Sequence, residues 1–105
     1  KIFFYVQHLL GIGHLRRAAV LVRAMADMHF DVTLVSGGIK VPSLDIGRSR
    51  FVQLPPVRVL DASFNQLVDV NGNPIDENWR QTRKKQLLEI FLSFLKQMLN
   101  MKKEV

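Results

Sequence analysis

The opening seventeen residues constrain this chain most. Ile2-Phe3-Phe4-Tyr5-Val6 is an apolar, β-forming run. It stops at two closely spaced glycines, Gly11 and Gly13, and His14, Arg16 and Arg17 follow at the start of a helical pattern. A buried strand, a glycine turn and a helix N-terminus in that order belong to α/β folds that handle nucleotides or phosphates. The unpaired N–H groups of a helix start attract negative charge. Glycines at such a turn allow a sharp reversal and a close approach of ligand to backbone.

The rest of the chain repeats the alternation. Residues 14–29 predict a helix, with Leu15, Ala18, Ala19, Val22, Met25 and Ala26 on one side and Arg16, Arg23 and Asp27 on the other. Arg23 and Asp27 are spaced as an i,i+4 ion pair. Residues 31–36 predict a second buried strand, closed by Gly37-Gly38. Residues 39–50 read as irregular, and Phe51-Val52-Gln53-Leu54 as a short third strand stopped by Pro55-Pro56. The connection over 57–75 contains the turn signal Asn71-Gly72-Asn73-Pro74 and is long enough to hold a further short element. A last helix is predicted over about residues 77–101, with Asp76 and Glu77 at its positive end. Its apolar face is read as Leu87, Phe91, Phe94, Leu95 and Met98, opposite Glu89, Ser93, Lys96, Asn100 and Lys103. Trp79 and the Phe91/Phe94 pair read as core rather than as a stacking platform for bases. Strands alternating with crossovers imply a parallel sheet with right-handed connections, so the fold class is α/β, Rossmann-like.

Charge narrows the function classes. The net charge is +6, unevenly placed. Residues 1–79 carry eight Lys/Arg against seven Asp/Glu, and residues 80–105 carry seven against two. A solvated helix face explains that better than nucleic-acid binding, because aromatics there alternate with apolar rather than basic positions. The chain has no cysteine, so disulfides and thiolate metal sites are excluded. His8, His14 and His29 are scattered without clustered carboxylates, and no metal site is expected. No apolar run reaches the length of a signal core or a membrane span, which predicts a cytoplasmic protein.

The dinucleotide fingerprint fails, because Arg16 stands where the third glycine belongs and no acidic residue ends the second strand. There is no Gly-Lys-Ser/Thr, so a P-loop is excluded. The turn Gly11-x-Gly13-His14-x-x-Arg17, its alanine-rich helix, and His29-Phe30-Asp31-Val32-Thr33 leading to Gly37-Gly38 resemble another family. They are similar to the N-terminal domain of GT-B glycosyltransferases, specifically the predicted family 28-like enzymes related to the N-acetylglucosaminyltransferase of the lipid-linked peptidoglycan precursor. The resemblance spans about residues 1–95. It implies a partial acceptor-side Rossmann-like domain over 1–105, with the donor-binding domain elsewhere. Sugar would pass from a nucleotide-sugar substrate to the hydroxyl of a small-molecule or lipid-linked acceptor, without a metal or other cofactor. His14 is the implied catalytic residue, positioning or deprotonating that hydroxyl. Gly11, Gly13, Arg17, Gly37 and Gly38 are the implied acceptor- or phosphate-binding residues, and His8 borders the cleft. Lys96-Gln97-Met98-Leu99-Asn100 stands where the family has a proline-aspartate lead into a fourth strand. The chain opens at Lys1 rather than Met and reads as part of a longer polypeptide, inactive by itself. Peripheral membrane contact, and self-association through an open sheet edge or the last helix, complete the expected partners. The competing expectation is a self-associating α/β module without catalysis.

Overall fold

A computed structural model describes residues 1–9, 11–59 and 66–104, with side chains to Leu99. Strand β1 (Ile2–Val6) leads through the glycine turn to helix α1 (Gly13–Asp27) and on to β2 (Val32–Ser36). An irregular loop then reaches β3 (Arg50–Gln53). The strands form a parallel sheet in the order β1-β2-β3, with Phe4 opposite Leu34 and Leu34 opposite Phe51. The expected α/β class and parallel sheet are therefore present.

Alternation along the strands gives the sheet two different faces. Val6, Val32 and Leu34 point to one face, where they pack with Leu15, Ala18 and Val22 of α1 in a dry core. Alanines at 18 and 19 let the helix lie close to the strands. Each buried leucine or valine contributes about 1.5–3 kcal/mol of transfer free energy. Ile2, Phe4, Met25, Val41, Leu44 and Ile46 flank this core. The loop after β2 is drawn across α1. Gly47, at φ +60°, lies against the Arg23 side chain, and the Ser49 hydroxyl donates to the Val22 carbonyl at 3.2 Å. Arg23 pairs with Asp45 of this loop at 2.9 Å, not with Asp27, so the expected i,i+4 pair is replaced by a tertiary one. The Gly47 N–H, and then the Arg23 guanidinium, hold the Asp45 carboxyl below its usual pKa.

Helix α1 ends in a Schellman arrangement. The Phe30 N–H donates to the Met25 carbonyl and the His29 N–H to the Ala26 carbonyl. His29 takes the left-handed position at φ 70°, which glycine usually fills.

The long connection holds an antiparallel pair, β4 (Arg58–Val59) and β5 (Leu67–Val68), which periodicity does not reveal in two-residue strands. The Asn71–Pro74 turn forms as expected. The Asp69 carboxylate accepts from the Asn71 and Asn73 N–H groups, each at 2.9 Å, and Gly72 sits at φ +85°. Helix α2 (Glu77–Glu104) is capped by Asp76, whose carboxylate accepts from the Trp79 N–H at 2.7 Å.

Helix α2 covers the second sheet face loosely. Phe3 meets Phe91 and Phe94 edge-on, at centroid distances of 5.3 and 5.4 Å. Its inward stripe is Trp79, Arg83, Leu87, Ile90, Phe94 and Met98, all half-buried. Leu95, read on the same apolar face, is turned outward, and Phe91 is partly exposed although its ring touches Phe3, while Arg83 and Ile90 turn in. At the amino end of the sheet, Lys1 donates to Asp31 at 2.6 Å and to Gln97 of α2 at 3.2 Å. Arg50 also reaches Gln97, at 3.4 Å. Lys1 above all, with Arg50 adding to it, lowers the Asp31 pKa against the opposing effect of partial burial. No helix among the described residues is long and apolar enough to cross a membrane.

Candidate functional site

The carboxyl end of a parallel sheet is where open α/β folds bind ligands. Here that end is built from three chain segments. The Gly37 N–H donates to the Val6 carbonyl, joining the exits of β1 and β2. After β3 the chain crosses this end, with Leu54 bonded to Ser36, Val57 to Gly37 and Val59 to Leu9. The N-terminus of α1 stands at the corner beside the crossing.

The predicted site residues divide into an exposed and a buried group. Gly11, Gly13, His14, Arg16 and Arg17 are exposed at the start of α1. The Arg17 guanidinium folds back over the first turn, 3.9 Å from where a Cβ on Gly13 would lie. No acidic residue occupies this turn, and no side chain caps it. The helix dipole, the free N–H groups and the Arg17 guanidinium therefore converge without a compensating carboxylate. His14, expected on the sheet-facing side of the helix, is exposed, with its imidazole in solvent.

Gly37 and Gly38 are buried. They share the sheet end with the α1 turn but serve it from beneath. A Cβ on Gly38 would run into the His8 ring. A Cβ on Gly37 would run into the Arg83 guanidinium and the Gln7 amide. At Gly38 the His8 ring leaves no room for a side chain, whereas at Gly37 a Cβ would displace the hydrogen-bonded ends of Arg83, Gln7 and Tyr5; at neither position is φ positive.

His8 links the two groups. Its ring is 3% exposed, and neither nitrogen has a hydrogen-bond partner. Burial lowers its pKa. The Ile39 backbone opposes this, and the neighbouring His14 adds a smaller lowering. His8 is thus held neutral behind the α1 turn.

Sequence reasoning missed Arg83. From α2 its Nε donates to the Pro55 carbonyl at 2.9 Å, and Nη2 donates to the Gly37 carbonyl at 2.9 Å and the Gln7 Oε1 at 2.6 Å. Tyr5 donates to the same Gln7 oxygen at 3.0 Å. Arg83 therefore clasps the exits of β1, β2 and β3 from a position 76 residues along from Gln7. A lone arginine on an amphipathic helix gives no local signal of such a role.

Among the grooves on the α2 side, two are the largest of those described. One of about 430 Å³ has Leu9, Val57, Leu67 and Leu87 in its walls and Trp79, Arg80 and Lys84 at its rim. The larger, about 580 Å³, lies between β3 and the middle of α2, lined by Arg50, Val52, Glu89, Ile90 and Phe94. Neither is lined by His14 or Arg17. The larger one reflects the loose cover of the second face, while the cationic chemistry gathers at the α1 corner. Among the described residues no three His, Asp or Glu side chains gather as a metal cluster. No family model matches the chain, and neither a curated protein nor a solved structure matches it.

Proposed function

We propose that the chain forms part of the acceptor side of a two-domain glycosyltransferase and holds an anionic, diphosphate-bearing acceptor at the N-terminus of α1. One observation carries the proposal. An uncapped, acid-free helix start, with Arg17 folded over it, meets a buried and unpartnered His8 at the carboxyl end of a parallel sheet. The first-turn N–H groups supply donors for phosphate oxygens. Arg17 adds charge and a planar donor fork. His14 stands in the same turn with its imidazole in solvent, free to position or deprotonate an acceptor hydroxyl. Gly37 and Gly38 act indirectly, by letting Arg83 and His8 seat against the sheet end. The nucleotide-sugar belongs to the domain across the cleft.

The test is an amide-resolved NMR titration of the chain with inorganic pyrophosphate. The largest shifts are expected at Gly13, His14 and Leu15, and Arg17→Ala should weaken binding about tenfold, the scale of one charge-assisted hydrogen bond. Uridine diphosphate should bind no better than pyrophosphate. Shifts centred on Arg80 and Lys84, or nucleoside diphosphate binding more than about tenfold tighter, would contradict an acceptor-side role.

A further inference from the structure

Helix α2 carries a second apolar face that nothing among the described residues covers. Leu88, Leu92, Leu95 and Leu99 are 49, 54, 37 and 59% exposed. At about 100° per residue they fall within one arc of about 60°, roughly 140° around the helix from the centre of the inward stripe between Arg83 and Phe94. Their spacings run four, three, four, the stagger of a coiled-coil seam. An all-leucine seam with this stagger is unusual on a helix that already has an apolar face toward its own sheet.

The spacing is palindromic, and that selects the occupant. Laid antiparallel on itself, the helix sets Leu88 against the partner's Leu99 and Leu92 against the partner's Leu95. The twofold axis then passes level with the Ser93–Phe94 peptide. Every leucine is used, and none faces a polar residue. One charge pair fits the same register. Glu89 and Lys96 flank the leucines on one side, both are exposed, and neither has an ion-pair partner among the described residues. Along one helix they lie two turns apart, about 10 Å, too far to pair. In the antiparallel pair each Glu89 meets the partner's Lys96, twice by symmetry. A parallel pairing would set Glu89 against the partner's Lys84 and Lys96 against the partner's Phe91, leaving Lys96 without a charge partner.

We infer that α2 is a self-recognition surface, with a second copy of this chain docked antiparallel along Leu88, Leu92, Leu95 and Leu99. The seam is about 17 Å long. That is short of a standard interface, so the dimer is expected to dissociate at about 10–100 µM. The inference does not depend on the proposed acceptor role, because the seam lies on α2, away from the α1 corner.

Light scattering of the chain over 5–500 µM should show the mass rising from about 12 toward about 24 kDa. Leu92→Glu with Leu95→Glu should stay monomeric throughout, with an unchanged circular dichroism spectrum and unchanged pyrophosphate binding. Glu89→Lys should raise the dissociation constant about tenfold, and adding Lys96→Glu should bring it back within about threefold. The chain has no cysteine, so Glu89→Cys with Lys96→Cys should cross-link on oxidation while Glu89→Cys alone should not. A monomer at 500 µM would overturn the inference. So would a dimer that survives the double glutamate variant, which would point to the open edges of β1 or β3. Failed rescue by the charge swap, or cross-linking through Glu89→Cys alone, would overturn it as well.

Discussion

The two faces of the sheet are held by different physics. On the α1 face, Leu15, Val22 and Leu34 are fully buried, and packing against the helix is apolar throughout. On the α2 face no residue of the helix with a described side chain is fully buried. There the helix is held by one aromatic cluster on Phe3, by Arg83 at one end, and by Gln97 with Lys1 and Arg50 at the other. Apolar burial is non-directional and scales with area, so the α1 face is a continuous source of stability. Polar ties act at points and depend on geometry, so the α2 face should loosen before the other.

That contrast sets the order of expected effects. Leu34→Ala removes the centre of the dry core and should cost about 3 kcal/mol, read as a loss of midpoint in urea with an unchanged slope. A loss under about 1 kcal/mol would mean the α1 face is less tightly packed than described. Arg83→Met should cost about 2 kcal/mol, because the Gly37 and Pro55 carbonyls lose a charged donor while the apolar stem is retained. If the polar clasp is what holds α2, protease sites in α2 should open in this variant while α1 stays protected. Uniform loss of both helices would merge the two faces into one unit.

A pH profile sharpens the boundary between the faces, where His8 is buried. Its folded pKa lies below the ordinary 6.5, so the unfolded chain takes up a proton first. Its contribution is fully present above about 6.5 and declines as the pH falls from there toward the lower folded value. His8→Asn should flatten the stability profile across that window, checked by denaturant melts at half-unit pH steps. An unchanged slope would mean that His8 is solvated. The smallest effect belongs to the end of α1. His29→Gly relieves a left-handed non-glycine residue and should raise stability by about 0.5–1 kcal/mol, visible as a few degrees in Tm.

The same contrast explains what was legible in the sequence. Strand β2, the alanine side of α1 and the glycine turn follow from local patterns, because one apolar face has one partner. The Asn71–Pro74 turn and the acidic start of α2 were readable from local turn and helix-end signals, whereas the side-chain bonds of Asp69 and Asp76 were not. Helix α2 misleads because it is apolar on two sides. Leu95 belongs to the outer seam and Phe91 sits between it and the inward stripe, and periodicity alone does not say which side meets the sheet. Strands β4 and β5 are too short to carry a period. At the α1 corner, His14, Arg17, Gly11 and Gly13 come together because they are neighbours in sequence. The burial of Gly37, Gly38 and His8 depends on contacts from α2, which no local motif encodes.

The most direct test of this account is native-state hydrogen exchange read by mass spectrometry at low micromolar concentration, below the expected dimerisation. Peptides from α1 and β2 should exchange only through global unfolding. Peptides over Leu87–Leu95 should exchange through a separate opening about 2 kcal/mol less costly. Exchange of α1 and α2 at the same free energy would contradict the claim that the two faces of the sheet are held by different forces.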